Sequence, residues 1–253
     1  MASAATGTAD DLNNHQLLKL PAVQAYLNEV AGARTIIFVN GCARSGTSLI
    51  QRCLSTVRDP VYYWSENALS QIYRQRRIGA DGAHIVLKRT GYCHRHVHAI
   101  PAAIKIVHIV RHPAFTLTSR VRHRPGFYVP PERFRDEYAA YRHLRQHHPS
   151  ANMTVVRYED LVQEPDRTQD AIGRALGLIF DLRFSRYCER DYLDLKIEPD
   201  TGEKRRWEPI DAERAHRTRP GTAHLEHWHG LLRTIGPEIE SFCRDFGYTV
   251  DPT

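Results

Sequence analysis

The chain lacks any run of apolar residues long enough to cross a membrane. A transmembrane helix needs roughly 18 or more consecutive apolar residues, and no stretch of the 253 residues approaches that length. The first residues also lack the basic and apolar regions of a secretion signal. We therefore expect a protein without a membrane anchor that is not secreted, with residues 1–12 as a disordered lead and residues 13–253 as one domain.

Cysteines are few and follow no pattern. The five cysteines are odd in number, and no two stand at C-x-x-C spacing. This favours reduced thiols over a disulfide framework or a zinc site, so we expect a cytoplasmic location and no metal. Cys42 lies inside the loop discussed below, where we expect a small residue that fits rather than a redox group.

Acidic residues are outnumbered by basic ones. The chain has 35 Lys and Arg against 29 Asp and Glu, a formal net charge of +6, which predicts anionic partners. Arg120, Arg122 and Arg124 lie close together, but no aromatic residues alternate with them, as stacking on nucleic-acid bases would require. We therefore expect no nucleic acid as partner, and the charge alone does not choose between a nucleotide and an acidic peptide.

One lysine is missing from an otherwise familiar phosphate-binding loop. The sequence predicts a buried strand at 35–40, a tight loop at 41–48 (GCARSGTS) and an amphipathic helix after it. The loop fits the pattern G-x-x-x-x-G-[KT]-[ST] only with Thr47 in the place of the lysine that grips the β and γ phosphates of a nucleoside triphosphate. The positive charge is on Arg44 instead. The loop therefore argues for a shorter, doubly anionic group.

Strands and helices alternate along the rest of the chain. Further strands are predicted at 61–64, 85–87, 105–110 and 153–157, and helices at 16–31, 67–77, 95–102, 114–122, 132–147, 166–177, 183–195 and 224–246. The helix at 16–31 is interrupted at Pro21, and the last one breaks near Gly236-Pro237. The alternation predicts a single α/β domain of P-loop NTPase type, with a central parallel sheet of about five strands flanked by helices.

Candidate site residues follow the predicted strands, because ligands of open α/β sheets bind beyond the carboxyl ends of the strands. They are Arg44, Ser45, Gly46, Thr47 and Ser48 after the first strand, Glu66 after the second, Lys88 after the third, Arg111 after the fourth, and Tyr158, Glu159 and Asp160 after the fifth. The loop N–H groups and the helix N-terminus form an anion site. Ser119 would lie about two turns into the helix after Arg111, so both could meet a second phosphate.

These motifs together resemble the sulfotransferases that use 3′-phosphoadenosine 5′-phosphosulfate (PAPS). The resemblance rests on RSGTS at 44–48, IVRHPAFTLTS at 109–119 and VVRYEDL at 155–161, and it spans roughly residues 34–180. It implies PAPS as co-substrate, with the loop on the 5′-phosphosulfate and Arg111 and Ser119 on the 3′-phosphate. Tyr158 would neighbour the adenine or a phosphate. Arg44, with Lys88, would stabilise the charge on the leaving phosphate oxygen.

The acceptor must lose a proton, which requires a general base. Cytosolic sulfotransferases have a histidine two residues after the lysine that corresponds to Lys88, but this chain has Thr90 there. Glu66 matches the glutamate of the branch that is similar to tyrosylprotein and many carbohydrate sulfotransferases, so we expect Glu66 to be the base. The alternatives are His94, His96 and His98.

Structural interpretations of several candidates stay open. Glu66 could cap the helix that begins near residue 67, Lys88 could be a surface cation, and Tyr158 could merely pack. For Glu159 and Asp160 we expect a structural role at the strand end rather than acid–base catalysis.

A P-loop kinase of a nucleotide or small metabolite is the alternative function, and a nucleotide-binding protein without catalysis is the next. The kinase is disfavoured because Thr47 replaces the lysine and no clear Walker-B aspartate ends a strand. The acceptor stays open between a peptide tyrosine, a glycan and a small metabolite. The oligomeric state and the role of residues 204–207 (KRRW), which could close over the nucleotide or recruit an acidic acceptor, stay open too.

Overall fold

A parallel sheet forms the centre of the fold. The computed structural model describes residues 14–62, 69–74, 83–89, 95, 97–120, 126–190, 196–197, 207–211 and 222–251. The strands are β1 (Thr35–Asn40), β2 (Pro60–Tyr62), β3 (His84–Arg89), β4 (Lys105–Val110), β5 (Met153–Arg157) and β6 (Lys196–Ile197). Their order is β5-β4-β1-β3-β2-β6, and every pair is parallel. The predicted parallel sheet is confirmed, and the two-residue β6 extends it at one edge.

Helices cover both faces of this sheet. They are α1 (Asn14–Leu18), α2 (Pro21–Ala33), α3 (Thr47–Leu54), α4 (Ser70–Arg74), α5 (Pro113–Leu117), α6 (Pro131–His147), α7 (Tyr158–Gln163), α8 (Pro165–Leu176) and α9 (Thr222–Phe246). Short 3₁₀ turns occupy Val97–Ala99, Ser150–Asn152 and Phe184–Glu189. Among these described helices, none combines the length and the apolarity that a membrane span requires.

The sheet separates the core into layers. Five of the six residues of β1, and likewise of β4, are buried, as expected for central parallel strands with both faces covered. On one face Ile37 packs in a cluster with Leu54 of α3, and on the other Phe38 packs with Leu27 of α2. Burial of each such side chain away from water stabilises the folded state by about 1.5 to 3 kcal/mol.

Three of the predicted helices are wrong in extent, and local side-chain bonds explain two of them. In place of the helix predicted at 95–102, the described residues form only the 3₁₀ turn Val97–Ala99. The helix predicted at 114–122 ends at Leu117, where the Thr118 hydroxyl donates to the Ala114 carbonyl at 2.6 Å and competes with continuation of the helix. Ser119 therefore lies just beyond the helix rather than two turns into it. Of the helix predicted at 183–195, the described residues form only the 3₁₀ turn Phe184–Glu189, whose Phe184 N–H donates to Oε1 of Gln169 in α8 at 3.3 Å.

The break predicted in the last helix is a kink. Ile235 has φ −134°, outside the helical range. Pro237 follows two residues later, and a proline inside a helix removes one hydrogen bond and clashes with the carbonyl four residues before it. The two parts of α9 can therefore both lay their apolar sides on α5 and α6.

The topology places a crevice at the loop after β1. This strand lies between β3 and β4, and the chain leaves towards opposite sides of β1 to reach them. Such a switch point opens a ligand-binding crevice at the carboxyl ends of the strands. The phosphate loop predicted from the sequence lies at this point.

Candidate active site

The loop between β1 and α3 has the backbone of an anion-binding nest. Arg44 has φ +73° and Gly46 has φ +95°, so both are in the left-handed region, with Ser45 between them. Alternation of this kind turns successive N–H groups towards one point, and α3 begins directly afterwards at Thr47. The Ser45 hydroxyl holds the loop against β4, with its oxygen 2.6 Å from the Cys42 carbonyl and 3.2 Å from the Ile109 carbonyl. The Ser45 backbone N–H also donates to the Cys42 carbonyl, at 3.2 Å, so Ser45 shapes the loop with both its N–H and its hydroxyl.

A glycine is required at position 46 for two reasons. Its φ is one that residues with a Cβ rarely adopt, and a Cβ there would lie 2.4 Å from Cδ2 of Tyr158. The tyrosine ring thus packs directly on the loop. Tyr158 therefore lies at the candidate site, as its position directly after β5 predicted.

Two arginines and a serine converge beside the loop. Arg44 Nε donates to Ser119 Oγ at 2.7 Å, and Arg111 Nη1 donates to the Arg44 carbonyl at 3.4 Å. The Arg111 guanidinium carbon lies 4.4 Å from the centre of the Tyr158 ring. The sequence assigned Arg44 to one phosphate and Ser119 to another. In the structure these two residues touch, so the two predicted phosphate positions adjoin.

His112, the residue after Arg111, is held by the C-terminal segment, which the sequence did not predict. The Glu159 carboxylate accepts the His112 backbone N–H at 3.1 Å and the Tyr248 hydroxyl at 2.7 Å. His112 Nδ1 accepts the Ala114 N–H at 3.1 Å, so Nε2 carries the proton and donates to the Thr249 carbonyl at 2.8 Å. Glu159 has the structural role expected of it, and it links the strand ends of β4 and β5 to the C-terminal segment.

Lys88 is inside β3 and buried. Its exposure is 6%, so it is not the solvated surface cation that the sequence left open. Because side chains alternate along a strand, Lys88 lies on the same face as Val86, which packs in the cluster that includes Ile50 of α3. Lys88 therefore faces the layer of the loop helix.

A cavity of about 290 Å³ adjoins the loop. Its lining includes Ser48 and Arg52 of α3, Arg111, Tyr158, Tyr187 and Ile210. Arg52 lies one helical turn beyond Ser48, a spacing that could have revealed it in the sequence. Tyr187 and the segment 207–211 could not be found in this way, since they come from distant parts of the chain.

Burial shifts the pKa values of two side chains at the loop, those of Arg111 and Cys42. Burial lowers the pKa of the Arg111 guanidinium below its ordinary value, although a guanidinium keeps its proton in proteins. Burial also raises the pKa of the Cys42 thiol to about 12, which keeps it neutral and agrees with the expected absence of a redox role. Cations and N–H groups thus dominate the site, and it suits an anion.

Some predicted residues are not brought to this site. His98, in the turn before β4, contacts His143 of α6 with ring centres 4.0 Å apart and the rings tilted by 59°, at the amino-terminal side of the sheet. Glu66, His94, His96, residues 204–206 and the predicted lead at 1–12 lie outside the described residues. Trp207 is buried and packs on Tyr187. Within the described ranges, no group of three or more His, Cys, Asp or Glu side chains is placed to bind a metal ion.

Comparisons with known proteins agree with the motifs. The family model of the sulfotransferase family matches residues 66–181. The sulfotransferase domain of the curacin biosynthetic pathway is 15% identical with a TM-score of 0.57, and the alignment covers 86% of this chain and 99% of that domain. The sulfotransferase domain of the Synechococcus PCC 7002 olefin synthase is 18% identical with a TM-score of 0.54, over 80% of this chain and 94% of the other. No curated protein sequence matches significantly.

The matched region contains Lys88, Arg111, Ser119 and Tyr158, whereas the loop at 41–48 precedes it. The fold extends the similarity to most of the chain. The predicted resemblance to the sulfotransferase family is therefore confirmed, in sequence over residues 66–181 and in fold over most of the length.

Proposed function

We propose that this protein is a sulfotransferase that moves the sulfonate of PAPS to an acceptor hydroxyl. The observation that carries the proposal is the cluster of Arg44, Ser119 and Arg111 beside a lysine-free phosphate loop. A donor with one phosphate at each end of a nucleoside fits adjoining anion positions better than a triphosphate, which would need the missing lysine.

Each donor group has a proposed partner in the site. The loop N–H groups and the hydroxyls of Thr47 and Ser48 at the start of α3 suit the 5′-phosphosulfate. Arg111 and Ser119 would bind the 3′-phosphate once Ser119 releases Arg44. The Tyr158 ring, which already lies against Arg111, would pack beside the adenine.

The transfer itself exchanges one S–O bond for another. The bond from sulfur to the 5′-phosphate oxygen breaks, a bond from sulfur to the acceptor oxygen forms, and the acceptor proton goes to the general base. Arg44 and the buried Lys88 stabilise the charge that develops on the departing phosphate oxygen. Glu66 stays our proposed base, and the acceptor is a peptide tyrosine, a glycan or a small metabolite.

We also place this reaction in the cytoplasm. Cys42, Cys53, Cys188 and Cys243 are all free thiols, and a chain with unpaired cysteines suits a reducing compartment.

Donor preference can be tested without knowing the acceptor. Thermal unfolding is followed with PAPS, with its desulfated product PAP, with AMP and with ATP–Mg²⁺ at equal concentrations. PAPS and PAP should raise the melting temperature by several degrees, and AMP should bind at least about tenfold more weakly because it has no 3′-phosphate. Stabilisation by ATP–Mg²⁺ with no response to PAPS or PAP would indicate the kinase instead.

The donor contacts have a variant test of their own. Arg111→Ala and Ser119→Ala should each weaken PAP while leaving AMP binding almost unchanged, because both residues are assigned to the 3′-phosphate. Equal weakening of both nucleotides would remove this assignment.

A further inference from the structure

β5 is an edge strand whose outer side is not paired. It is the last strand of the sheet on the side of β4, and within the described part of the chain only β4 pairs with it. Four of its five residues are partly exposed, whereas five of six in β4 are buried. An edge strand presents N–H and C=O groups that can accept another strand.

A groove of about 680 Å³ runs along this edge. Its floor is the run of residues 154–157 in β5, and one wall is α6 with Arg142 and Arg145. The other wall is α8 with Ala171 and Ile172. Because α6 and α8 lie on opposite faces of the sheet, the groove is a slot that continues the plane of the sheet between two helices.

The two walls differ in chemistry. Arg142 and Arg145 are exposed, and neither forms an ion pair among the described residues. Arg157, Asp160 and Asp245 also line the slot, and Asp245 accepts the Tyr138 hydroxyl at 2.6 Å. The α8 wall consists of the exposed Ala171 with the buried Thr168 and Ile172, so it has no charged side chain. The lining thus has three arginines against two aspartates, and the slot is basic on the α6 side and uncharged on the α8 side.

We propose that this slot, residues 154–157 between α6 and α8, binds an extended peptide segment as a seventh strand, with acidic residues alternating with apolar ones. Side chains of a strand alternate between the two faces, so every second residue of the peptide faces Arg142 and Arg145 and the others face the uncharged α8 wall at Ala171. Main-chain bonds to the edge give affinity, and the alternating walls give specificity. The occupant is a segment of another protein, independent of the sulfonate donor.

A second copy of this chain fits the slot poorly. Edge-to-edge pairing of two β5 strands would bring two sets of Arg142 and Arg145 towards each other, and like charges in such contacts are unfavourable. The charge of the slot therefore favours an acidic partner over self-association.

Fluorescence anisotropy with a labelled heptapeptide of alternating Glu and Val tests the proposal. The full-length protein should bind it at low salt, and Arg142→Glu/Arg145→Glu should weaken binding at least about tenfold. The matched control Arg174→Glu/Arg233→Glu changes two other exposed arginines by the same charge and should bind as the unmodified protein does.

Two peptide controls separate strand addition from attraction of charge alone. A peptide of the same composition with all Glu residues first should bind at least about tenfold more weakly, because its charges no longer face one wall. Two further versions of the alternating peptide have N-methyl groups on the odd or on the even residues. The version whose methyl groups replace the N–H groups that face β5 should also lose binding. If the alternating peptide does not bind, or if the alternating, block and N-methylated peptides bind equally, the proposal is overturned. It is also overturned if the protein forms a dimer and Arg142→Glu/Arg145→Glu makes that dimer more stable, because the slot would then pair with a second copy.

Discussion

Gly46 and Tyr158 together define the loop at the scale of single residues. The glycine has a φ that only a residue without Cβ adopts easily, and the tyrosine ring occupies the space that a Cβ would need. Arg44, two positions earlier, adopts φ +73° although it has a full side chain. Strain of this kind costs about 1 to 3 kcal/mol and persists where the surroundings enforce it, typically at a functional site.

Replacing Gly46 separates backbone strain from steric clash. Gly177 is also left-handed, at φ +62°, but a Cβ there would meet no atom within 4 Å. Gly177→Ala should lower the free energy of unfolding by about 1 kcal/mol, whereas Gly46→Ala should lower it by at least about 2 kcal/mol and abolish PAP binding. Urea unfolding measures both. Equal costs would show that Tyr158 does not pack on the loop.

Tyr248 should influence the donor site through Glu159. Tyr248→Phe removes the hydroxyl that donates to Glu159, and Tyr138→Phe removes one that donates to Asp245 away from the loop. Each variant should lower the free energy of unfolding by about 1 to 3 kcal/mol. Only Tyr248→Phe should also weaken PAP in a calorimetric titration, because Glu159 holds the residue after Arg111. Equal PAP affinity in the two variants would limit Glu159 to stability.

At the scale of elements, β1 and β4 are joined by side chains as well as by backbone. Asn40 Nδ2 lies 3.2 Å from His108 Nδ1, which makes the amide the donor and Nδ1 the acceptor. Burial lowers the pKa of His108 to about 3, so the folded protein keeps this imidazole neutral. This pair lies behind the phosphate loop, next to Cys42 and Ser45 in the same layer.

His108 predicts how stability depends on pH. The unfolded chain takes up a proton on this side chain near pH 6.5, and the folded protein does so only near pH 3. The free energy of unfolding should therefore fall as the pH drops from about 6.5 towards 3, by up to about 1.4 kcal/mol per pH unit from this group. His108→Gln should reduce that slope in urea titrations, and an unchanged slope would show that His108 is not buried in its neutral form.

The sequence predicted the elements that are defined by continuous apolar runs. β1, β4 and β5 begin and end as predicted because buried parallel strands are apolar on both faces. The helix after Arg111 was too long in the prediction, because its end depends on a hydroxyl bond at Thr118. Likewise, the contact of Tyr248 with Glu159 joins residues 89 positions apart, and no local pattern contains it.

At the scale of the whole molecule, the β5 edge of the sheet and the carboxyl end of its strands form two separate proposed binding sites. The carboxyl end of the sheet collects the cations of the donor site, and the outer side of β5 offers the basic slot. Arg157 ends β5 and stacks on Tyr248 with 4.4 Å between the guanidinium and the ring centre, so the slot ends beside the segment that holds His112. The fold could be predicted from the sequence, and so could the residues of the proposed donor site that directly follow strands, whereas the slot required the strand order.

Formation of PAP from PAPS tests the central claim most directly. The protein is incubated with PAPS labelled in the sulfonate, with and without a cell extract as a source of acceptors, and PAP and labelled product are quantified together. We predict equal amounts of PAP and transferred sulfonate, with the rate reduced about 100-fold or more in Arg44→Ala and unchanged in Arg174→Ala. No PAP in any mixture, or the same rate in Arg44→Ala, would contradict sulfonate transfer at this loop.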